Sequence, residues 1–375
     1  MRVLLVSNYE PDAQHSMLRY ADFLRRGLGE YGHSMEVIHP SALVGRLVSR
    51  SSPLFKWLGY IDKFLLFPLW LRTKAAKFDL VHICDHSNSC YLRWTGGTPS
   101  LITVHDMLAI RSALGDFPQN PTGPTGQRLQ RWILKGLGGA KHLVCVSWKT
   151  KQDLEAFIRS KPEITVIHHS LNWEYGPVSQ MEISRVRRAS GLEPDDEYLL
   201  HVGGNQWYKN RLGALKIAFE LRKHARFRRV KIVMAGKPWT EGMRSFCREN
   251  SFDDAIEFVN PSNEQIRALY SGALAFLFPS LEEGFGWPIL EAQACGCLLI
   301  TSNRPPMTEV AGSGAIFIAP EDAVGAARTI ADGFDEAEAI KQAALKNLNG
   351  FATDLVMQNY NDAYTSVVVD VRAAR

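Results

Sequence analysis

Three glutamates lie close together in the segment 279–297, which reads PSLEEGFGWPILEAQACGC. Two carboxylates in such a group can act as an acid and a base, as they do in a glycoside hydrolase. They can also bind the hydroxyl groups of a ligand, or simply form a charged loop that leads into a helix. The segment therefore raises the question of which of Glu282, Glu283 and Glu291 do chemistry.

The same segment ends in Cys295 and Cys297, which would be half of a metal site. The chain has no second ligand pair at zinc-finger spacing and no Cys-x-x-Cys pair. Because Cys297 begins an apolar run, we predict that both thiols are buried. The six cysteines are scattered along the chain, which favours buried reduced thiols and a cytoplasmic location over disulfides.

The glycines of this segment indicate an anion-binding site. An apolar run at 274–280 precedes the loop, and Pro288 suits the first turn of a helix that follows. Backbone N–H groups at a helix start attract anions, and glycines let a ligand approach the backbone. The residues expected to line the site are Gly284, Phe285, Gly286 and Trp287. Because a carboxylate repels phosphate, we expect the glutamates to bind sugar hydroxyls beside it.

Short apolar runs alternate with helical patterns along the whole chain, which predicts parallel β-sheets with crossover helices. The first half has such runs at 2–7, 34–40, 79–84, 100–106, 142–147 and 164–169. The second half has them at 198–204, 230–236, 255–260, 274–280, 297–302 and 315–320. The polar stretch 172–197 between them is predicted to be a linker region.

This pattern predicts an α/β protein with two doubly wound, Rossmann-like domains in series. We place the first domain at 1–175 and the second at 176–352. The stretch 353–375 is predicted to be a C-terminal helix that closes back on the N-terminal domain.

Composition excludes several classes of protein. The chain of 375 residues has a formal net charge of +4, too small for a general nucleic-acid binder. No apolar run approaches the ~20 residues needed to span a bilayer. The N-terminal sequence lacks the long apolar core and cleavage site of a signal peptide.

Three familiar motifs are misplaced or absent. A formal GxGxxG at 27–32 follows a helical pattern instead of joining a strand to a helix, so we predict a helix end and a turn. Gly236 and Lys237 are followed by Pro238, so there is no Walker A loop. The chain contains no Asp-x-Asp triplet, which argues against a transferase that chelates a divalent metal, and we expect no metal site.

The spacing of the glutamates resembles the Glu-x7-Glu signature of retaining GT-B glycosyltransferases of family 4, because seven residues separate Glu283 from Glu291. HVGGNQWYKN (201–210) is similar to the family's strand, glycine turn and Arg-Lys phosphate clamp. TVHD (103–106), VCVSWKTKQDL (144–154) and NRPPMTEVAGSGAIFIAP (303–320) resemble further family segments. The resemblance covers essentially the whole chain and implies a GT-B fold, with two Rossmann-like domains that face a central cleft.

The resemblance implies roles for individual residues. Glu283 would contact hydroxyls of the donor sugar, Glu291 the ribose of the nucleotide, and Lys209 the leaving diphosphate, with Glu282 a solvated neighbour. His105 would meet the donor sugar, although a His-Asp pair at a strand end can also simply shape a turn. The further donor-binding residues would be Gly203, Gly204, Lys237 and Asn260.

Two positions depart from the family pattern. Tyr208 stands where the family has the clamp arginine, and as a donor-binding candidate it supplies one neutral hydrogen bond instead of a bidentate cation. Arg211, two residues beyond Lys209, is a further donor-binding candidate, and we ask whether it replaces the missing arginine. The first strand–helix loop, EPDAQHSM (10–17), lacks the family's Gly-Gly pair. His15 and Ser16 are therefore candidates for contact with the acceptor or the phosphate.

Asp85 and His86 follow another predicted strand and are candidates for the acceptor side.

A basic and aromatic segment, 46–77, admits two interpretations. Its apolar residues can pack in the core of the domain while its lysines and arginines face water. Alternatively, aromatic and cationic side chains together can contact an anionic membrane from the cytoplasmic side. We retain this peripheral membrane contact as a hypothesis.

The resemblance implies a retaining, metal-independent hexosyltransferase that uses a GDP- or UDP-linked sugar, with mannose favoured by family frequency alone. The acceptor would be a saccharide or a lipid-linked molecule in polysaccharide or glycolipid assembly. No cofactor and no nucleic-acid partner are expected. The alternatives are a non-catalytic sugar-nucleotide-binding protein and a nucleotide-sugar epimerase of related fold.

Overall fold

The structure is a computed structural model that describes residues 1–12, 14–49, 52 and 54–373, without the side chains of His15 and 371–373. The chain divides into two compact units. Unit 1 comprises Met1–Asn172 together with Thr353–Arg375, and unit 2 comprises Trp173–Ala352. The first unit is therefore built from both ends of the chain.

The strands, in chain order, are β1 Arg2–Val6, β2 Ser34–Ile38, β3 Leu80–Ile83, β4 Ser100–Val104, β5 His142–Cys145, β6 Glu163–Val166, β7 Tyr198–Gly203, β8 Lys231–Gly236, β9 Ala255–Val259, β10 Ala275–Phe278, β11 Leu299–Ser302 and β12 Ile316–Ile318. The helices are α1 His15–Glu30, α2 Leu54–Ile61, α3 Phe67–Ala75, α4 Leu108–Leu114, α5 Pro124–Gly138, α6 Trp148–Phe157, α7 Gln180–Ala189, α8 Arg211–Leu221, α9 Glu241–Glu249, α10 Asn263–Gly272, α11 Trp287–Ala294, α12 Met307–Ala311, α13 Ala323–Gly333, α14 Ala337–Asn347 and α15 Thr353–Ala373. Every predicted strand is present.

Each unit contains one parallel sheet. In unit 1 the strand order is β2-β1-β3-β4-β5-β6, and in unit 2 it is β12-β11-β10-β7-β8-β9. The central strands are short and almost wholly buried, with valine, leucine and isoleucine on both faces, because helices cover both sides of a doubly wound sheet. The strands β2, β6 and β9 are partly exposed. The predicted fold class, two Rossmann-like domains, is confirmed.

The C-terminal helix α15 packs on unit 1, as predicted. Its apolar residues Val356, Met357 and Val367 join a core cluster with β1 and α1. Gly27 of α1 explains the close approach, because a Cβ there would lie 2.4 Å from the Met357 sulfur. The 27–32 motif is therefore a packing and turn element: Gly27 and Gly29 lie in α1, and Gly32 follows it with φ 78°.

A buried polar network also joins α15 to the sheet. His82 of β3 contacts the Tyr364 hydroxyl at 2.7 Å through Nδ1 and the Thr103 hydroxyl at 2.8 Å through Nε2. Tyr20 of α1 bonds to Thr103 at 3.1 Å and to Tyr360. Burial lowers the pKa of His82 from 6.5 to about 3, so the ring is neutral. His82 is a satisfied core residue, not a ligand-binding one.

The predicted linker region, 172–197, is only partly a linker. It contains α7, which begins with a capping box in which Ser179 and Glu182 satisfy each other's backbone N–H groups. Ile183 and Val186 of this helix are buried. The polar composition of the segment is therefore the exposed face of a helix that belongs to unit 2.

The cysteines are free thiols, and Cys295 and Cys297 are buried, as predicted. Burial raises the pKa of Cys295 to about 12 and that of Cys297 further still, which suits packing and not metal binding. Among the residues that the structure describes, no helix combines the length and the hydrophobicity needed to cross a bilayer.

Candidate functional site

The two central strands of unit 2 end where ligands usually bind to such sheets. The strand order reverses between β7 and β10, and the carboxyl edge at a reversal point is open because the crossover helices lie on opposite faces. The loop after β7 carries Lys209, and the loop after β10 carries Glu283. The topology therefore brings together two residues that lie 74 positions apart in the chain.

Backbone contacts fix these two loops against each other. The Leu281 N–H donates to the Tyr208 carbonyl at 2.7 Å. Asn210 has a left-handed backbone (φ 49°), and its side-chain amide donates to the Pro279 and Pro320 carbonyls, each at 3.0 Å. Asn210 thus ties the loop after β7 to the loops after β10 and β12, which holds the preceding lysine in place.

Lys209 and Glu283 form an ion pair. The Lys209 Nζ lies 2.7 Å from the Glu283 Oε1, and the two side chains are 16% and 9% exposed. The ammonium also lies 5.1 Å from the centre of the Phe278 ring. Low exposure strengthens the attraction between the two charges relative to a surface pair. The lysine therefore offsets the charge of a carboxylate that would otherwise repel an anionic ligand.

The helix α11 begins directly beyond this pair. Gly286 has φ +102°, a backbone conformation that strongly favours glycine, and a Cβ there would lie 3.2 Å from an Ile289 methyl group. Phe285 and Gly286 are buried, whereas Gly284 and Trp287 are half-buried. The Phe285 ring packs toward the Phe351 and Trp287 rings.

Glu291 lies one turn into α11 and is half-buried. The Tyr270 hydroxyl of α10 donates to the Glu291 Oε2 at 3.2 Å, so the carboxylate is oriented by a neighbouring helix. Glu283 precedes the helix and Glu291 lies inside it, and both remain partly accessible. Glu282 is also half-buried.

Four more candidates lie at the carboxyl edge of this sheet: Gly203, Gly204, Lys237 and Asn260. Gly203 and Gly236 end β7 and β8, and a Cβ on Gly236 would lie 2.1 Å from the Gly203 carbonyl oxygen. Asn260 follows β9 with φ 50° and donates its N–H to the Gly236 carbonyl at 2.7 Å. Lys237 is exposed at this edge, and Gly204 begins the loop after β7.

Arg211 points into the protein. Its Nη1 donates to the Lys237 carbonyl at 2.8 Å and to the Asn205 side chain, while Nε and Nη2 are buried with no hydrogen-bond partner among the described residues. Burial lowers its pKa below the ordinary arginine value. The guanidinium thus joins the loops after β7 and β8, and it does not present a donor to solvent as the replacement of a clamp arginine requires.

His201 lies beneath this edge and was not singled out from the sequence. Its Nδ1 donates to the Leu277 carbonyl at 2.9 Å, and its Nε2 is buried with no partner among the described residues. A Cβ on Gly203 would lie 3.3 Å from that Nε2. Burial, with the charges of Arg211 and Lys209, lowers the pKa of His201 from 6.5 to about 3.

Unit 1 has a polar pair at its own reversal point. Its strand order reverses between β1 and β3, and the Asn8 amide after β1 donates to the Asp85 Oδ2 after β3 at 2.5 Å. Asn88 donates to the Asn8 Oδ1 at 3.1 Å. Burial alone would raise the pKa of Asp85, but His86, His105 and hydrogen bonds from Ser87 and Asn8 lower it.

His105 is held by two protein partners. Its Nε2 donates to the Cys84 carbonyl at 2.8 Å, so the neutral ring accepts at Nδ1 from the His169 Nε2 at 3.2 Å. The two imidazoles stack with their centres 5.2 Å apart, and Tyr20 packs edge-on against both. Burial lowers the pKa of His105 and of His169. This arrangement suits positioning of a ligand better than proton transfer.

The remaining acceptor-side candidates lie near the same strand ends. His86 Nδ1 lies 3.3 Å from the Asp85 Oδ1 and 3.4 Å from the His105 backbone N. Ser16 is half-buried in the first turn of α1. His15 begins that helix, but its side chain lies outside the described residues.

One group of possible metal ligands occurs among the described residues, and it lies elsewhere. His142, Glu163 and Asp370 have ligand atoms within 4.8 Å of one another. His142 and Glu163 begin β5 and β6, at the amino edge of the sheet and therefore opposite the edge that carries the candidate site. The two carboxylates are exposed.

Sequence reasoning missed Asn8, Asn88, His201, Asn210 and Tyr270, and it gave His169 no role. Most of them are common polar types in ordinary spacings, so no local signal marks them. Only their positions could have identified Asn8 and Asn210. Asn8 lies in the loop after the central strand β1, and Asn210 ends the loop after the central strand β7.

Comparison with known proteins agrees with this architecture. The model for "Glycosyltransferase Family 4" matches residues 17–174, and the model for "Glycosyl transferases group 1" matches residues 182–347. The O-antigen chain mannosyltransferase RfbU of Salmonella typhimurium is 26% identical over 51% of this chain. The O-antigen chain mannosyltransferase B of Escherichia coli is 30% identical over 52% of it. In both cases the match spans about half the relative's length (51%).

A solved structure shares the fold. HepE of Anabaena, in complex with UDP and glucose, superposes with a TM-score of 0.71 at 14% identity, covering 98% of this chain and 100% of that one. The family models cover most of both units, and the two Rossmann-like sheets agree with them. The chain belongs to the group 1, family 4 glycosyltransferases of the GT-B fold.

Proposed function

We propose that the protein is a retaining, metal-independent glycosyltransferase that moves a hexose from a GDP- or UDP-linked sugar to an acceptor hydroxyl. The observation that carries the proposal is the ion pair between Lys209 and Glu283 at the reversal point of unit 2. It combines a cation suited to a diphosphate with a carboxylate suited to sugar hydroxyls, next to the start of a helix. An acid–base pair for hydrolysis would have no use for that cation.

The chemical demand on this site is to stabilise the charge that develops on the departing diphosphate. Lys209 supplies a positive charge held in place by the loops, and the N-terminal end of α11 adds the positive end of a helix dipole. The leaving phosphate itself takes the proton of the acceptor hydroxyl, so a dedicated protein base is not needed. In agreement with this assignment, both ring nitrogens of the neutral His105 already form hydrogen bonds with protein groups.

Glu291 binds the ribose in this proposal, and Glu283 binds the donor sugar. The Tyr270 hydroxyl donates to the Glu291 Oε2 and orients this carboxylate. Lys237 and Asn260 lie near the base, where backbone groups of the carboxyl edge supply hydrogen bonds.

The relatives support a role in polysaccharide assembly. Two of them are named as O-antigen chain mannosyltransferases, which favours mannose as the transferred sugar and hence a GDP-linked donor. HepE binds UDP and glucose, so a UDP-linked donor is the alternative. We place the protein in the cytoplasm, where nucleotide sugars are made.

A thermal-shift screen against GDP- and UDP-linked hexoses tests the donor assignment, since a ligand that binds the folded state raises the unfolding temperature. Release of nucleoside diphosphate in the presence of acceptor then tests transfer, with and without a metal chelator. Binding without release under any acceptor would favour a sugar-nucleotide sensor. Formation of an isomerised free nucleotide sugar would identify an epimerase instead.

We also propose that unit 1 contacts a membrane peripherally through residues 46–77. The segment exposes Leu54, Trp57, Leu65 and Leu69, each more than half exposed. Exposed cations flank these side chains, and large apolar residues rarely cluster on a surface that remains in water. Apolar contact and attraction to anionic lipid would act together.

Co-sedimentation with vesicles tests this contact. We expect binding to vesicles of phosphatidylcholine and phosphatidylglycerol in equal parts, and weak binding to phosphatidylcholine alone. The variant Leu54→Glu, Trp57→Glu, Leu65→Glu should lose it, because each charge enters the apolar surface. The matched control, Met181→Glu, Val324→Glu, Leu345→Glu, changes exposed apolar residues of unit 2 and should bind as the wild type does. Equal binding by both variants would contradict the proposal.

A further inference from the structure

A second group of polar side chains lies at the amino edge of the sheet in unit 1, opposite its acceptor-side edge. His142 begins β5 and Glu163 begins β6, and the two residues are partners in the register of these parallel strands. Partners on neighbouring strands point to the same face of a sheet, and so does a residue two positions further along. Val144, two positions after His142, packs in one core cluster with Tyr360 and Val367 of α15. Strand register therefore directs both side chains toward the last helix.

The helix α15 brings a row of polar residues to the same place. Asp362, Ser366 and Asp370 are spaced by four positions, so they lie on one face of this helix. Asp362 and Ser366 line an open cavity of about 320 Å³ together with His142 and Glu163. Asp370 continues the row by one turn, and its carboxylate has a ligand atom within 4.8 Å of those of His142 and Glu163. The fold thus gathers three possible metal ligands from three separate elements.

The imidazole of His142 is buried but only partly used by the protein. Its side chain is 9% exposed and lines the cavity. Among the residues that the structure describes, its one polar side-chain contact is with Glu163, whose Oε2 lies 3.2 Å from Nδ1. The other ring nitrogen, Nε2, has no protein partner there. The ring is therefore available to a ligand in the cavity.

The carboxylates around this cavity have no cation to balance them. Within the part of the chain whose side chains are described, no lysine or arginine pairs with Glu163, Asp362 or Asp370. Asp362 accepts from two amides of its own helix, and Asp370 accepts from a serine of that helix at 3.5 Å. Like charges that face one cavity repel each other, and a bound cation would remove that repulsion.

The donor set indicates which cation fits. One imidazole nitrogen and two carboxylates suit Zn²⁺ and neighbouring divalent transition metals, whereas Ca²⁺ and Mg²⁺ prefer oxygen ligands alone. Zinc binds nitrogen and oxygen at about 2.0–2.2 Å, which places neighbouring ligand atoms about 3 to 4 Å apart. The ligand atoms here lie within 4.8 Å of one another, and both carboxylates are exposed. Rotation of these two side chains brings the three atoms to the spacing that zinc requires.

We propose that His142, Glu163 and Asp370 bind a divalent transition-metal ion, with zinc as the best match. The ion fastens the last turn of α15 to the first residues of β5 and β6. Packing does little for that turn, because Val369 is 56% exposed while Val368 before it is 6% exposed. The site is structural and does not rest on the proposed glycosyl transfer, which needs no metal in our assignment.

Calorimetric titration of zinc into metal-free, untagged protein tests the site. We expect one ion per chain and a raised unfolding temperature, since the ion binds the folded state. Asp370→Asn keeps the size of the side chain but removes its charge. It should weaken zinc binding at least about tenfold, because loss of even an outer partner of a metal ligand has that effect. Asp354→Asn is the matched control, an exposed aspartate in the first turn of the same helix, and should bind zinc as the wild type does.

A second variant and a second measurement locate the ion. His142→Gln should lose the rise in unfolding temperature that zinc produces. Zinc should also slow hydrogen exchange at 366–370 in the wild type, because the ion holds the end of α15. The proposal is overturned if the wild type binds no zinc, or if Asp370→Asn binds it equally well. Either result would leave His142 and Glu163 as a simple ion pair. Zinc binding without slower exchange at 366–370 would place the ion elsewhere and overturn the assignment as well.

Discussion

At the scale of single residues, the candidate donor site depends on charged side chains whose positions are fixed by contacts with neighbouring residues. Lys209 and Glu283 lie 2.7 Å apart at low exposure, and Tyr270 orients Glu291. Glu282 lies next to Glu283 in sequence but has no such role in our assignment. Substitution of Lys209 therefore tests charge stabilisation at the leaving group, and substitution of Glu291 tests donor binding. Substitution of Glu282 tests whether a neighbouring carboxylate has any role.

Lys209→Ala should lower kcat by about 10²- to 10³-fold, because it removes a preorganised charge at the leaving group. The donor Kd should change less, since the backbone turn and Glu291 remain. Lys223→Ala is the control: this lysine follows α8, is exposed and pairs with Glu220, three positions before it in the chain. Steady-state release of nucleoside diphosphate measures the effect. Full activity of Lys209→Ala would show that the phosphate assignment is wrong.

Glu291→Ala should weaken donor binding by about 10- to 100-fold, the loss expected for a hydrogen bond to a charged group. Titration of the nucleotide sugar, followed by calorimetry, measures the Kd. Glu282→Ala should bind the donor within about twofold of the wild type. If the two variants weakened binding equally, the seven-residue spacing would not have identified the ligand-binding pair.

At the scale of elements, buried polar contacts hold helices on the sheets. The hydroxyl of Tyr364 in α15 satisfies one nitrogen of His82, and that ring also bonds to Thr103. Such a network stabilises the fold only while every member is paired, because an unpaired buried group keeps the cost of its desolvation.

Tyr364→Phe should lower the free energy of unfolding by about 1 to 3 kcal/mol, because it leaves a buried nitrogen of His82 without a partner. Tyr31→Phe, which removes an exposed hydroxyl that donates to the Asp354 carbonyl at 3.3 Å, should have little effect. Urea denaturation of both variants gives the comparison. A change of the same size in both would contradict the role assigned to the network.

Buried histidines in the strands make stability depend on pH. Burial lowers the pKa of His201 from 6.5 to about 3, so between these values the unfolded chain binds a proton that the folded chain does not. The contribution of His201 to the free energy of unfolding is therefore fully present above about pH 6.5 and is lost progressively as the pH drops toward 3. His82, with the same values, acts in the same direction.

The expected loss from His201 between about pH 7.5 and about pH 5.5 is about 1.4 kcal/mol. His201→Asn should abolish that part of the pH dependence, because its amide keeps a donor near the Leu277 carbonyl but does not titrate. Urea denaturation at the two pH values measures it. An unchanged dependence in the variant would show that His201 titrates normally.

At the scale of the whole molecule, unit 1 is not one continuous stretch of the chain. Unit 1 includes Thr353–Arg375, so its core is complete only after the chain has passed through all of unit 2. Val356, Tyr360 and Val367 of α15 share a cluster with Leu5 and Leu24. The last helix is thus part of the unit that begins the chain.

Removal of the chain from Thr353 onward should destabilise unit 1 selectively. Hydrogen exchange measured by mass spectrometry should rise in β3 and β4, which face α15, because local unfolding becomes easier where buried contacts are lost. The strands β8 and β9 of unit 2 provide the internal control. Faster exchange in β8 and β9 without a change in β3 would contradict the assignment of α15 to unit 1.

The sequence alone determined the strands and the two-sheet architecture, because apolar periodicity along the chain is a local property. It also gave Glu283 and Glu291 as candidates, through their resemblance to a family signature. It did not reveal α7 inside the polar stretch 172–197, where the exposed face of a helix resembles a linker. Tertiary structure alone decided which distant residues meet. Strand order brings Lys209 to Glu283 and Asn8 to Asp85. Contacts with the loops after β7 and β8 turn Arg211 inward, and contacts with the loops after β1 and β2 hold Asp62 inside the protein. These outcomes depend on contacts between segments far apart in the chain, which no local pattern encodes.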